Sequence, residues 1–163
     1  MKETAYFAMG CFWGPQEMFD KIPGVVETEV GYMGGDDKEF PEPTYEEVCL
    51  GNTGHAETVK VIFDSDKTSY GKLLDAFWEN HDYTQINMQG PDIGSQYRSV
   101  IFYSNEQQKK IAESSKAEKQ RNLDKRAGKQ KVATEIVSAG KFKFHKAEEY
   151  HQHYVKKHGK NVC

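Results

Sequence analysis

Apolar positions recur along this chain with two different spacings. In residues 4–10, TAYFAMG, Ala5, Phe7 and Met9 alternate with Tyr6 and Ala8, which predicts a first strand that Gly10 breaks. Pro15 suits an opening helical turn, and PQEMFDKI continues as a short helix ending before Pro23-Gly24. VVETEVGYMGG reads as a second strand, with Val26, Thr28, Val30 and Tyr32 on one face and Glu27 and Glu29 on the other. GGDDKEFPEP has the Gly, Pro and Asp content of a loop. Residues 53–64, TGHAETVKVIFD, carry the strongest alternation, with His55, Glu57, Val59, Val61 and Phe63 pointing one way. YGKLLDAFWENH has a helical stripe of Leu73, Leu74, Phe77 and Trp78. YRSVIFY, residues 97–103, is a further strand.

The order to that point is β-α-β-β-α-β. This predicts an α+β fold: a split βαβ, ferredoxin-like mixed sheet with flanking helices and a C-terminal tail. Ser104 with Gln107 fits a capping box opening a long, mostly solvated helix to about residue 126. A short strand near TEIVSA and a last helix, KAEEYHQHYVKK, complete the chain. With 163 residues and no linker or repeat, 1–163 is expected to form one catalytic domain.

A net charge of −3 gives no basic surface for nucleic acid or anionic membrane. The longest mostly apolar stretch, YFAMGCFWG, is too short to span a bilayer and lacks the marks of a signal peptide. A cytoplasmic protein is expected, with no nucleic-acid or membrane partner, and nothing argues against a monomer. Cys11, Cys49 and Cys163 are odd in number, widely spaced and without a CxxC pair, which suits neither a disulfide framework nor a zinc site. Such cysteines are inert or catalytic.

Cys11 stands where a strand hands over to a helix, so helix N-terminal amides favour its thiolate, and Gly10 and Gly14 let substrate or backbone approach. The competing reading makes Cys11, Phe12 and Trp13 plain core at a strand–helix corner. Glu57 shares a face with Val59, Val61 and Phe63, where desolvation would raise its pKa. An ordinary Glu is about 0.2% protonated at pH 7, and a rise of two units makes it about one-sixth protonated, enough for a general acid. A strand-end Glu reaching water or pairing with Arg98 is the alternative. Tyr45 and Tyr97, beside glycine-containing turns, could donate to a polar ligand atom or simply satisfy a core edge. His55 reads as a structural histidine and Cys49 as buried filler. Cys163 lies beyond Gly159, near Lys156, Lys157 and Lys160, which favour a thiolate on a mobile tail. His151 and His153, two apart on the expected last helix, face different ways and make a poor metal pair.

GCFWG at 10–14, GYMGG at 31–35, PTYEEVCLGNTGHAE at 43–57, GPDIGSQYRS at 90–99 and AEEYHQHY at 147–154 resemble the A-type peptide methionine sulfoxide reductases, in that family's order and over nearly the whole chain. The resemblance implies that Cys11 attacks the sulfoxide sulfur while Phe12 and Trp13 hold its methyl group. Glu57 would protonate the oxygen, Tyr45 and Tyr97 would hydrogen-bond it, and Asp92 would help order that network. It also implies a sulfenic acid on Cys11, a disulfide with Cys163 as resolving cysteine, and recycling by a thioredoxin-like reductant. The substrate would be methionine-S-sulfoxide, in oxidised proteins or free, and no cofactor or metal is implied. Four residues after Gly159 reach at most about 14 Å, so the last helix must end near Cys11. Tyr83 departs from a proline usual in the family at that position, away from the assigned roles.

Two rival readings remain. A cysteine hydrolase would recruit His55 or His81 as base and leave a buried Glu57 without a task. A non-catalytic module would bind methionine-containing peptides through the same aromatics.

Overall fold

The computed structural model describes residues 1–159, so the expectations on Cys163 fall outside it. The elements are β1 (Lys2–Met9), α1 (Trp13–Asp20), β2 (Val25–Met33), α2 (Tyr45–Cys49), β3 (Ala56–Asp64), α3 (Tyr70–Glu79), β4 (Met88–Gln89), β5 (Asp92–Ile93), β6 (Ser99–Tyr103), α4 (Glu106–Asp124), β7 (Glu135–Ser138), β8 (His145–Lys146) and α5 (Tyr154–His158). A six-stranded sheet runs β7-β6-β1-β3-β2-β8, and β4 with β5 forms a separate small hairpin. The inner order β6-β1-β3-β2 is the expected ferredoxin-like core. β7 extends one edge in parallel and β8 the other antiparallel, making the sheet mixed.

Register lines up the buried rows. Phe7 lies opposite Val59 on one side and Ile101 on the other, and Ala5 lies opposite Val61. This face packs on α1 and α3 through Phe19, Leu73, Leu74, Phe77 and Trp78. Phe7 stacks between Phe19 at 5.2 Å and Phe77 at 5.3 Å. Fully burying such side chains contributes about 1.5–3 kcal/mol each. The opposite face, with Ala8, Met33, Val100 and Phe102, is covered by Ala139, Phe142 and Phe144. Both faces being covered explains why β1 and β3 read as nearly continuous apolar runs at their ends.

Several boundaries differ from the sequence reading. α1 begins at Trp13, ahead of Pro15. A bulge between Val25 and Glu27 turns Val26 outward, leaving it 51% exposed and off the face of Thr28 and Val30. β6 begins at Ser99, and Tyr97 belongs to a 3-10 turn over Ser95–Tyr97. Asn105, not Ser104, caps α4: its side chain accepts from Gln108 N–H, and Gln108 Oε1 accepts from Ser104 N–H. The expected last helix is broken into β8, a 3-10 turn at Glu149–His151 and α5. Among the described residues, no helix is long and apolar enough to cross a membrane.

Candidate active site

The buried row of β1 runs Ala5, Phe7, Met9 toward one end of the sheet. There Gly10 reverses the chain at φ +98°, with its missing Cβ position 2.7 Å from Gln89 Cγ, so only glycine fits. Cys11 follows, half-buried, then Phe12 as N-cap of α1. The Phe12 side chain makes no cap hydrogen bond and the first turn of that helix holds no acidic residue, so the amides at its positive end lie beside Cys11. Glu57 ends the matching row of β3, opposite Tyr32 of β2, and is 2% exposed. Its Oε1 accepts the Phe12 N–H at 3.2 Å, which ties the acid to the residue after Cys11.

Cys11, Phe12, Trp13, Tyr45, Glu57, Asp92 and Tyr97 line one cavity of about 190 Å³. That is smaller than a drug-sized ligand site and suits a side-chain head group. Tyr45 opens α2, a five-residue helix held by a capping box in which Thr44 Oγ1 accepts from Glu47 N–H and Glu47 Oε1 accepts from Thr44 N–H. Burial, and for Tyr45 a hydrogen bond with Cys49, raises the pKa of both phenols above the ordinary tyrosine value. For Tyr97, burial is joined by the negative charge of Glu57, Cys49, Asp92 and Cys11. Both therefore keep their protons at neutral pH and can donate.

The C-terminal segment closes the far wall. Trp13 Nε1 donates to His151 Nδ1 at 3.0 Å, and Tyr154 stacks on the Trp13 ring at 3.8 Å and 7°. The buried His151 ring also lies 5.3 Å from Phe12 and 4.6 Å from Tyr45. Burial lowers its pKa, and acceptance by Nδ1 puts the proton of the neutral ring on Nε2. Glu148 accepts from Tyr32 O–H at 2.8 Å and from Tyr45 N–H at 3.0 Å. Burial opposes its charge, but these hydrogen bonds prevail and hold its carboxyl below the usual range.

A family model described as peptide methionine sulfoxide reductase matches residues 3–163. The chain belongs to that family. The MsrA reductase of Methanothermobacter thermautotrophicus is 49% identical over 99% of this chain and 90% of its own. The crystal structure of Mxr1 from Saccharomyces cerevisiae in reduced form superposes with a TM-score of 0.87 at 34% identity, over 99% of this chain and 88% of that one. Mxr1 in complex with Trx2 superposes at 0.60 and 26% identity, over 94% of this chain and 84% of that one. The chain is thus an oxidoreductase of the MsrA type, and methionine sulfoxide reduction is its family chemistry.

In this reductase the seven sequence-predicted residues among the described ones meet in the same cavity. Cys49 is exposed at the end of α2, not buried filler, because α2 is a surface turn of which only Val48 is fully buried. Arg98 does not pair with Glu57: its guanidinium lies 3.7 Å from Glu135 and donates to Ser95 O. His81 has Nδ1 on Phe77 O and Nε2 on Ser99 Oγ, and His55 Nδ1 accepts from Gly35 N–H, so both rings are engaged away from the Cys11 cavity. Asp37, His55 and His145 bring potential metal-ligand atoms within 4.8 Å of one another. The His55 Nδ1 acceptance leaves its proton on Nε2, the atom facing that cluster, and a neutral ring so protonated offers no lone pair there. Asp37 and His145 are meanwhile hydrogen-bonded at 2.6 Å, so the group works as a clamp between the 34–40 loop and β8.

His151, Tyr154 and Glu148 were not assigned roles from sequence. His151 and His153 do not share a helix: His153 takes a left-handed conformation at φ 53° before α5 begins. The alternation of polar and aromatic residues in EEYHQHY gives no period that could have marked the wall.

Proposed function

We propose that this chain reduces methionine-S-sulfoxide, free or in oxidised proteins, to methionine, acting as one catalytic domain and as a monomer in protein repair. The Cys11 thiolate attacks the sulfoxide sulfur while Glu57 gives a proton to the oxygen, with Tyr45 and Tyr97 donating to the same atom. The attack joins the two sulfurs; that bond and the substrate sulfur–oxygen bond then break as the oxygen passes to Cys11, so methionine leaves reduced and Cys11 is left oxidised as a sulfenic acid. The Cys163 thiol then condenses with it, releasing water and forming a disulfide, which a thioredoxin-like dithiol reduces by exchange.

The observation that carries this reading is the joint lining of one small cavity by a half-buried thiol, a buried carboxyl, two protonated phenols and an indole beside a phenyl ring. A soft nucleophile, a proton donor and an apolar slot for a methyl group are what the reaction needs. The seating of α5 on Trp13 through Tyr154 supports a tail that begins within reach of Cys11. The yeast relative in complex with Trx2 supports the class of reductant. The R epimer would put its oxygen into the aromatic slot unpaired, at about 1–3 kcal/mol, roughly 5- to 150-fold in rate.

The test is methionine formed from separated S and R substrates with a small dithiol, for wild type and Cys11→Ser. Turnover of the S epimer alone, abolished in the variant, is expected; a preference for R, or turnover surviving without the thiol, would overturn it. Cys163→Ser should keep a single turnover and lose recycling by thioredoxin.

A further inference from the structure

Two glycines flank Cys11 in the GCFWG motif, and only Gly10 has a reason inside the fold. Gly14 sits in the first turn of α1 without positive φ, and a Cβ there would meet nothing within 4 Å. A helix disfavours glycine relative to alanine, so a bare backbone at this position serves something other than packing. The open space is part of a second cavity, about 340 Å³, that shares Cys11 and Asp92 with the catalytic one.

The walls of this cavity mix polar and apolar surface, and two of the polar side chains are already engaged. Asn80 Nδ2 donates to Ala76 O at 2.7 Å, and Gln89 both accepts from Asp82 N–H and donates to Asp82 O. Met9, Pro15, Met18 and Pro91 supply the apolar part of the walls. Ile93, next in the chain to Asp92, is 76% exposed and continues the apolar character outward.

We propose that this cavity receives the side chain of the residue adjoining the oxidised methionine in a peptide substrate, and that it prefers an apolar one. The proposal rests on the reductase reading above and names its substrate class. The argument is continuity: consecutive residues are 3.8 Å apart, so a cavity abutting the reacting sulfur lies within reach of a neighbour's side chain. Methionine walls adapt to differently shaped partners, which suits a site meeting many sequences. Free methionine sulfoxide has no neighbour to place there.

The experiment compares kcat/KM for acetyl-Phe-Met(O)-Phe-amide, acetyl-Gly-Met(O)-Gly-amide and free methionine sulfoxide, all as S epimers with dithiothreitol, in wild type and Gly14→Leu. Wild type should favour the Phe-flanked peptide over the Gly-flanked one by about tenfold. Gly14→Leu, filling the cavity, should erase that preference and leave the free substrate within about twofold, which also shows that the variant folds. Equal rates for the two peptides in wild type would overturn the proposal, as would an equal loss on all three substrates in the variant. A defect seen only with a protein dithiol in place of dithiothreitol would assign the cavity to the reductant instead. No methionine from any substrate would overturn the reductase reading and this proposal with it.

Discussion

Glu57 continues the row of Val59, Val61 and Phe63 into the cavity, and its oxygen holds the Phe12 amide. Glu57→Gln keeps an acceptor for that amide but cannot release a proton. Methionine formation should fall by roughly 10²–10⁴-fold with the melting temperature nearly unchanged. A matching collapse in stability would instead make Glu57 a structural residue. His151→Phe keeps an aromatic ring beside Phe12, Tyr45 and Tyr150 but removes the acceptor for Trp13 Nε1. The unpaired indole should cost about 1–3 kcal/mol in urea unfolding. Its loosened position should lower kcat/KM by up to about 10²-fold, with partial recovery in His151→Gln. Cys11 and Glu57 were legible in the sequence because each breaks a local rule, a thiol among glycines and a carboxyl on an apolar face. His151 was not, since its partner Trp13 lies 138 residues away and no local pattern points to it.

At the scale of elements, α2 is the least self-sufficient. Five residues cannot form a stable helix alone. It exists because Thr44 and Glu47 cap it and because Glu148 takes the Tyr45 amide. Thr44→Ala should cost about 0.5–2 kcal/mol of stability. It should also displace Tyr45, so that S-sulfoxide turnover falls several-fold at a temperature where the variant is still folded; full activity there would show that Tyr45 is held without the cap. The Thr-x-x-Glu signature was present to be read, but Pro41, Pro43 and the preceding Gly-Asp run gave the region the look of a loop. The last helix failed for the opposite reason. KAEEYHQHYVKK reads as one continuous helix, yet His153 N–H goes to Gln16 Oε1 at 2.7 Å and its ring to Asp20 at 2.9 Å, and these bonds to α1 override local helix preference.

Across the whole molecule, the four inner strands and the helices over them were legible because period-two rows and the stripe of α3 are long and consistent. The shortest strands were harder: β8 has two residues and the β4–β5 hairpin too few to show any period, whereas the four-residue edge strand β7 was read in TEIVSA. A buried polar chain joins these layers, from Phe77 O through His81 and Ser99 to Thr134, with the Ser99–Thr134 hydroxyls 2.7 Å apart. Burial pushes the His81 pKa down to about 4. The unfolded ring, with its ordinary value near 6.5, binds a proton that the folded ring refuses until about pH 4. Stability from this group is therefore complete above about pH 6.5 and is lost as the pH falls, by roughly 3 kcal/mol at pH 4. Urea unfolding at pH 7, 5.5 and 4.5 should show that decline, and His81→Gln should flatten it. An identical slope in the variant would place the acid sensitivity elsewhere.

The seating of residues 145–158 against α1, β2 and α2 also governs when the protein can begin to work. Cys11 leaves the ribosome 140 residues ahead of His151 and 143 ahead of Tyr154, the two side chains that hold Trp13. Until that later segment emerges, a nascent chain carries its thiol with no partner for the indole beside it, with Tyr45 untethered and with the outer edge of β2 bare. The wall around Cys11 closes only once residues 145–158 have been made, and a product terminated before them holds its cysteine without that wall.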